Sequence, residues 1–154
     1  MKIFYDVFSK QEILSDAYYI EEEGEILFKA KGNIITIGNE EEEKEDTVKK
    51  SIDIVYSFEL KKLSLTRTKF HEWAIWFQEH AHKYLQENNK ERVAIFLTNF
   101  QLTLKKIESR FEDYTFYVGS NGNMESSLIL MSYDTDLITP YFHYFKDFLY
   151  HELF

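Results

Sequence analysis

The chain contains no cysteine among its 154 residues. Disulfides, zinc–thiolate sites and cysteine nucleophiles are therefore excluded. A reducing compartment is permitted, and we expect a cytoplasmic protein.

Glycine and proline are also scarce, with five and one in the whole chain. No glycine-rich phosphate-binding loop is present, either as GxGxxG or as GxxxxGK[ST]. Serine and histidine occur without a nucleophile elbow, and no pattern assembles an evident acid–base pair. We expect no enzymatic activity and no tightly bound cofactor.

Long apolar runs are missing as well. The N-terminal residues, Met1 to Asp6, lack the apolar core of a signal peptide, and no stretch approaches 18 apolar residues. The sequence predicts neither a membrane-spanning nor a classically secreted protein.

Aromatic residues are abundant, at 18% of the chain, with 14 Phe and 11 Tyr. Aromatic rings pack well on pleated sheets, and this length suits one domain spanning 1–154. Alternating apolar residues predict a mainly β protein. The predicted strands include Lys2–Phe8, Glu12–Tyr19, Ile26–Ala30, Ile34–Ile37, Ser51–Phe58, Leu60–Leu65, Tyr114–Val118, Ser127–Tyr133 and Ile138–Leu149.

A different periodicity occupies residues 66–110. Apolar residues at spacings of three and four predict two helices of roughly 20 residues, and a short turn at Asn88-Asn89-Lys90 makes them antiparallel. Thr66 or Thr68 caps the first helix in this interpretation. Asn88 followed by Glu91 resembles a capping box for the second. The predicted fold is therefore α+β, a mainly β core with a projecting helical hairpin.

Charge is distributed unevenly between these parts. The hairpin carries eight Lys and Arg against five Asp and Glu, whereas residues 1–65 carry nine against fifteen and residues 111–154 one against seven. An acidic protein repels phosphates, so nucleic-acid binding is disfavoured. The hairpin either docks on an acidic protein surface or has an ordinary solvated face.

Three groups of polar residues are candidate metal ligands. Glutamates crowd 40–46 in a predicted loop at about 38–50, where Asn39, Glu40 and Glu42 are candidates for weak calcium binding. A solvated loop is the alternative, because the EF-hand spacing is absent. His80 and His82 point apart on a helix, and His143 and His151 lack an evident partner. Asp134-x-Asp136 is either a divalent-ion site or a hairpin turn, and the turn is favoured.

Several short motifs are spread along nearly the whole chain. They are Met1-Lys2-Ile3-Phe4-Tyr5-Asp6 with Ser9, Glu12 and Ser15-Asp16; Asp53-Ile54-Val55; Glu91-Arg92-Val93; Phe111, Tyr114 and Phe116-Tyr117-Val118-Gly119; and Thr139-Pro140-Tyr141 with Phe145-Lys146-Asp147. In residue type and spacing these segments resemble the translationally controlled tumour protein family, and the main length difference falls in the acidic loop.

The resemblance implies a β-tent core, like that of guanine-nucleotide-free chaperones of small GTPases, plus the helical hairpin. It implies a non-enzymatic, multi-partner role in translation, growth and survival. The implied partners are a Ras-type small GTPase or an elongation factor, with nucleotide exchange contested, and tubulin or microtubules. A GTPase chaperone or calcium buffer without a microtubule role is the alternative.

The resemblance also assigns residues. Glu12 matches the acidic residue linked to GTPase contact. The tubulin-linked region includes the hairpin, whose candidate contacts are Lys83, Lys90, Arg92, Lys105 and Lys106. No nucleic-acid or membrane partner is implied.

The chain departs from the family pattern at several positions. Phe154 replaces a frequent C-terminal cysteine, which removes a disulfide-linked dimer and favours a monomer. Gly119-Ser120 replaces Gly-Glu, and Phe148 replaces a glycine. Thr115 stands where a glutamine is associated with weak calcium binding.

Overall fold

The computed structural model describes residues 1–38 and 49–154, and these ranges combine antiparallel strands with helices. The strands are β1 Lys2–Asp6, β2 Glu12–Ser15, β3 Ile20–Glu23, β4 Leu27–Lys31, β5 Ile34–Ile37, β6 Lys49–Ile52, β7 Lys61–Leu63, β8 Thr115–Val118, β9 Ile129–Tyr133, β10 Pro140–Phe145 and β11 Leu149–Leu153. The α-helices are α1 Asp53–Phe58, α2 Arg67–Asn88 and α3 Val93–Ser109, and short 3-10 helices lie at Lys90–Arg92, Phe111–Asp113 and Lys146–Phe148.

The described strands form two sheets and a separate hairpin. The larger sheet has the order β3-β4-β10-β9-β8-β7, and the smaller has the order β11-β1-β2. Strands β5 and β6 pair only with each other. The predicted α+β class with a β core is confirmed.

The predicted helical hairpin is also confirmed. The Thr66 hydroxyl accepts a hydrogen bond from the Lys69 amide at 3.1 Å, which caps α2 as expected. The apolar faces of α2 and α3 pack together and against the larger sheet. The buried residues of this core include Phe70, Trp73, Phe77, Ala81, Leu85, Phe96, Phe100, Ile107, Phe116, Leu130 and Phe145.

The predicted strand Ser51–Phe58 is wrong from Asp53 onward. Strand β6 ends at Ile52, and residues Asp53–Phe58 form α1. The alternation that suggested a strand is misleading, because Tyr56 is exposed while Ile54 is fully buried and Phe58 is partly buried, as helical spacing requires. The Asp53 carboxylate accepts the Ile54 and Asn33 amides at 2.8 Å each and bends the chain at this junction.

The predicted single strand Ile138–Leu149 is wrong as well. Strand β10 ends at Phe145, one 3-10 turn follows, and β11 joins the other sheet. The Lys146 amide donates to the Ile26 carbonyl, while the Phe148 carbonyl accepts from the Val7 amide. Apolar and aromatic residues lie directly before and after the turn, at Tyr144-Phe145 and Phe148-Leu149, so the two charged residues between them did not mark a break in the strand.

Several predicted boundaries change. Strand β1 ends at Asp6 and β2 ends at Ser15, because turns follow both. Helix α2 continues through Asn88, whose side-chain amide donates to the Tyr84 carbonyl, so the predicted capping box is wrong. Helix α3 begins after Arg92 without a side-chain cap.

Of the predicted acidic loop, 39–48 lies outside the described residues, and β6 begins at Lys49.

Arg92 fastens the hairpin turn to the crossing between the sheets. Its guanidinium donates to both carboxylate oxygens of Asp147 at 2.9 Å, and to the Glu25 carbonyl at 2.7 Å. Only 20% of the Arg92 side chain and 10% of the Asp147 side chain are exposed. The hydrogen bond with Asp147 raises the pKa of Arg92. The ion pair is bidentate and mostly buried, so removal of one partner leaves the other charge buried without its counter-charge.

We expect Arg92→Ala to lower the free energy of unfolding by about 3 kcal/mol, because Asp147 then remains buried without its partner. Urea denaturation measures the change. Lys90→Ala, which removes an exposed cation two residues away, is the control and should alter stability by less than about 0.5 kcal/mol. Equal losses in the two variants would contradict the proposed role of the ion pair.

Candidate functional site

Glu12 begins β2 and lies exposed on the smaller sheet. The Tyr5 hydroxyl is 3.4 Å from its carboxylate and donates the one side-chain hydrogen bond recorded for Glu12 among the described residues. A carboxylate has acceptor sites for about four hydrogen bonds. Glu12 therefore keeps most of its capacity to accept donors from another molecule.

The turn before Glu12 is fixed by a buried carboxylate that the sequence analysis did not single out. Asp6 is 1% exposed. One of its oxygens accepts the Ser9 amide at 2.8 Å, and the other accepts the Ser127 amide at 3.3 Å. Lys10 then takes a left-handed conformation with φ of 63°. These contacts give Glu12 a defined position, and an aspartate three residues before an apparent polar turn was the available signal.

Tyr5 lies between two carboxylates on this surface. Its hydroxyl is also 3.3 Å from Glu152, and its ring stacks on Tyr150 with centroids 5.1 Å apart. Partial desolvation, with the negative charges of Glu152 and Glu12, raises the pKa of Tyr5 to about 12. The phenol stays protonated at physiological pH, and its single proton can be donated to only one of the two carboxylates at a time.

A cavity of about 290 Å³ opens next to Glu12, between the β1–β2 turn, α1 and the loop after β8. Its polar lining includes Lys10, Glu59 and Ser120. Gly119 permits this close approach, because a Cβ there would lie 2.5 Å from the Gln11 Cβ. The Ser120 hydroxyl donates to the Gln11 side chain at 2.6 Å. We call Glu12 and this lining the Glu12 surface.

The basic residues predicted on the hairpin do not form one patch. Lys83, Lys90, Lys105 and Lys106 are exposed, whereas the Arg92 guanidinium is occupied by Asp147 and Glu25. The side chains of Gln78 and Gln101 hydrogen-bond, which sets the register of the two helices. Helical rise then separates Lys83 from Lys105 by about 14 Å along the hairpin axis. Lys90 lies at the turn, and Lys106 faces a cavity beside the larger sheet.

The candidate metal ligands receive no support from the structure. Asn39, Glu40 and Glu42 lie outside the described residues. Within 1–38 and 49–154, no three His, Asp or Glu side chains are grouped as ligands. The Asp136 carboxylate accepts the Ile138 and Thr139 amides at 2.8 and 2.9 Å, and these contacts build the favoured hairpin turn.

His143, for which the sequence showed no evident partner, has two in the folded structure. Its Nδ1 lies 2.7 Å from a Glu23 carboxylate oxygen, and its Nε2 lies 2.9 Å from the Ser132 hydroxyl. The three residues come from β3, β10 and β9 of the larger sheet. A separation of 120 residues between Glu23 and His143 hid the contact from any local pattern. We call these residues the Ser132–His143–Glu23 chain.

Burial would raise the pKa of Glu23, yet the hydrogen bond and charge of His143, with Lys106 and Lys29, lower the pKa overall. The Glu23 side chain is 27% exposed, and that of His143 is 12% exposed. The carboxylate is therefore stabilised in its charged form by the folded structure.

Together, the antiparallel core, its helical hairpin and the exposed polar Glu12 surface define an α+β protein of the β-tent class. The sequence profile described as translationally controlled tumour protein matches residues 1–150. The chain therefore belongs to the translationally controlled tumour protein family. None of the described helices combines the length and hydropathy needed to cross a membrane.

Individual relatives agree with this assignment. The Schizosaccharomyces pombe homologue is 32% identical, with complete coverage of both chains, and its solved structure gives a TM-score of 0.91. A homologue from Plasmodium chabaudi chabaudi is 35% identical over 99% of both sequences, and the human protein is 31% identical over 96% of both. The Caenorhabditis elegans structure, at 20% identity over 100% of this chain and 99% of its own, shows the same fold with a TM-score of 0.76.

We expect Glu23 to stabilise the protein in a pH-dependent way. Because its folded-state pKa is lowered, its contribution is present above the unfolded pKa, near 4.5, and is lost as pH falls through the folded value. Glu23→Gln should therefore lower stability at pH 7, and the difference from wild type should shrink as the pH falls below about 4.5. Urea denaturation across pH 3 to 7 measures this, with the exposed neighbour Glu21→Gln as control. A constant difference over that range would contradict the expectation.

Proposed function

We propose that this chain is a protein-binding module whose Glu12 surface contacts a Ras-type small GTPase or a translation elongation factor. Membership of the translationally controlled tumour protein family supports the class of function, and the exposure of the Glu12 carboxylate supports the site. The binding role requires no catalysis by the chain.

The chemistry of this surface favours a basic contact on the partner. Glu12, Glu59 and Glu152 supply negative charge around the neutral phenol of Tyr5. Arginine recognises such a site well, because its guanidinium can bind a carboxylate with two parallel hydrogen bonds. The buried Asp6 holds the turn in place, so little conformational entropy is lost when Glu12 is engaged.

We expect Glu12→Lys to weaken binding of a purified Ras-type GTPase or elongation factor at least about tenfold, which is about 1.4 kcal/mol. Glu12→Gln should have a smaller effect, because it removes charge without adding repulsion. Biolayer interferometry at two salt concentrations measures both variants, and higher salt should weaken the wild-type complex.

Glu125→Lys makes the same charge change at another exposed position and is the matched control. Circular dichroism establishes that each variant is folded. Binding of both candidate partners that is unaffected by Glu12→Lys would rule out the Glu12 surface as the contact.

A second surface, on the hairpin, is proposed to dock on the acidic surface of tubulin. Lys83, Lys90 and Lys105 are exposed, and no ion pair is recorded for them within the described part of the chain. Their spread along the hairpin favours a weak contact steered by charge rather than one tight pocket. Arg92 is omitted from this surface because Asp147 occupies it.

We expect Lys83, Lys90 and Lys105, changed together to Glu, to lower the affinity for microtubules at least about tenfold. Co-sedimentation at increasing salt measures the effect. Changing Lys2, Lys50 and Lys62 to Glu alters net charge equally outside the hairpin and is the control. If both triple variants lose the same amount, the hairpin is not the docking surface.

A further inference from the structure

The Ser132–His143–Glu23 chain has the connectivity of a serine nucleophile, a general base and an orienting carboxylate. Ionised Glu23 accepts a hydrogen bond and cannot donate one, so Nδ1 of His143 carries the proton. When the ring is in its neutral form, Nε2 has a free lone pair and can accept a hydrogen bond from the Ser132 hydroxyl, whose oxygen lies 2.9 Å away. This tautomer is the one that can remove a proton from serine.

The register of the larger sheet explains how Ser132, His143 and Glu23 are brought together. Ser132 pairs with Tyr141, and His143 pairs with Leu130, so Ser132 and His143 are diagonal neighbours on one face. Glu23 lies on that face two strands away and reaches across β4. Tyr114 packs edge-on against the His143 ring, with centroids 6.2 Å apart and planes at 76°. Ser132, Glu23 and Tyr114 together therefore restrain the orientation of the His143 ring.

Two cavities meet at the Ser132–His143–Glu23 chain. One, of about 560 Å³, is lined by Ser132, His143 and Glu23, together with the cations Lys29, Lys106 and Arg110. The other, of about 270 Å³, shares His143, Tyr114 and Lys106 but has an apolar lining that includes Leu27, Leu102 and Leu130. Small-molecule sites commonly combine such apolar walls with a few convergent polar groups.

We propose that Ser132 is an acyl-accepting nucleophile and that this site hydrolyses esters with short aliphatic acyl chains. The apolar cavity takes the acyl chain, and the larger polar cavity takes the alcohol portion. The site shares no residue with the Glu12 surface, so this activity is independent of the proposed partner binding.

The reaction balances with water as the only other reactant. The Ser132 oxygen forms a bond to the ester carbonyl carbon while its proton passes to Nε2 of His143. The tetrahedral intermediate collapses, the alcohol leaves with that proton, and an acyl-serine remains. Water then attacks the acyl-serine with His143 as base, which releases the carboxylic acid and restores Ser132.

Each side chain has a distinct role in this scheme. Ser132 and His143 are the catalytic residues. Glu23 is a positioning residue, because it acts through the His143 ring. Lys106 and Lys29 supply positive charge beside the cavity, where negative charge develops on the carbonyl oxygen during attack.

The full-length protein is assayed for hydrolysis of p-nitrophenyl acetate and p-nitrophenyl butyrate. Phenylmethylsulfonyl fluoride serves as a serine-directed label. We expect Ser132→Ala and His143→Gln each to lower kcat/KM at least about 100-fold, since general-base catalysis contributes on that scale. Glu23→Gln should lower kcat at least about tenfold and leave KM within about twofold, because it alters ring orientation rather than substrate contacts. Peptide mass spectrometry of the labelled wild-type protein should place the sulfonyl group on Ser132.

Ser64→Ala, an exposed serine outside both cavities, is the matched control and should keep the wild-type rate. The mapping of the label requires no variant, so it decides the matter even if His143→Gln fails to fold. Hydrolysis that survives Ser132→Ala, or a label on lysine or tyrosine in place of Ser132, overturns the proposal. Either result would leave the hydrogen-bonded chain with a structural role only.

Discussion

The packing around Phe148 is the contact on which the rest of the structure depends. This side chain is fully buried at the crossing between the two sheets. Its ring contacts Phe8 after β1, Phe77 and Tyr84 of α2, and Phe96 of α3, with centroids 5.0 to 5.8 Å apart. One ring therefore links the smaller sheet, both hairpin helices and the end of the larger sheet. Aromatic contacts of this kind contribute beyond their buried area.

Arg92 and Asp147 complete this junction with an ion pair one residue from Phe148. The apolar ring gives the junction its stability, and the ion pair restricts how the hairpin turn can lie against it. Because its guanidinium is bound to Asp147 and Glu25, Arg92 does not add positive charge to the exposed surface of the hairpin. A basic residue in the sequence is thus not always a basic residue at the surface, and for this reason Arg92 is not a candidate for docking.

The two sheets carry chemically different surfaces. The smaller sheet presents Glu12 beside the neutral phenol of Tyr5, where a cationic partner group finds unused acceptors. The larger sheet, beyond the edge of the hairpin, leaves His143 and Ser132 beside cavities instead of covering them with helix. The proposed partner contact and the proposed ester hydrolysis therefore fall on separate parts of the molecule, and neither proposal requires the other.

Periodicity predicted the hairpin well because α2 and α3 are long and each has one apolar face, whose residues, such as Phe77 and Phe100, are buried in the structure. Periodicity misassigned Asp53–Phe58, where six residues fit two patterns and only the contacts of Ile54 decide between them. It also joined β10 to β11, because apolar residues flank Lys146 and Asp147 on both sides and local pattern does not show that the chain changes sheets there.

The α+β class, the antiparallel helices, the absence of cysteine chemistry and the family resemblance that marked Glu12 could all be predicted from the amino-acid sequence. These depend on composition, local spacing and motif order, which are properties of the linear chain. The folded contacts were needed to show that Asp6 fixes the Glu12 turn, that Asp147 binds Arg92, and that Glu23, Ser132 and His143 meet. Those contacts join residues brought together by strand register and sheet crossing, and local pattern carries no information about either.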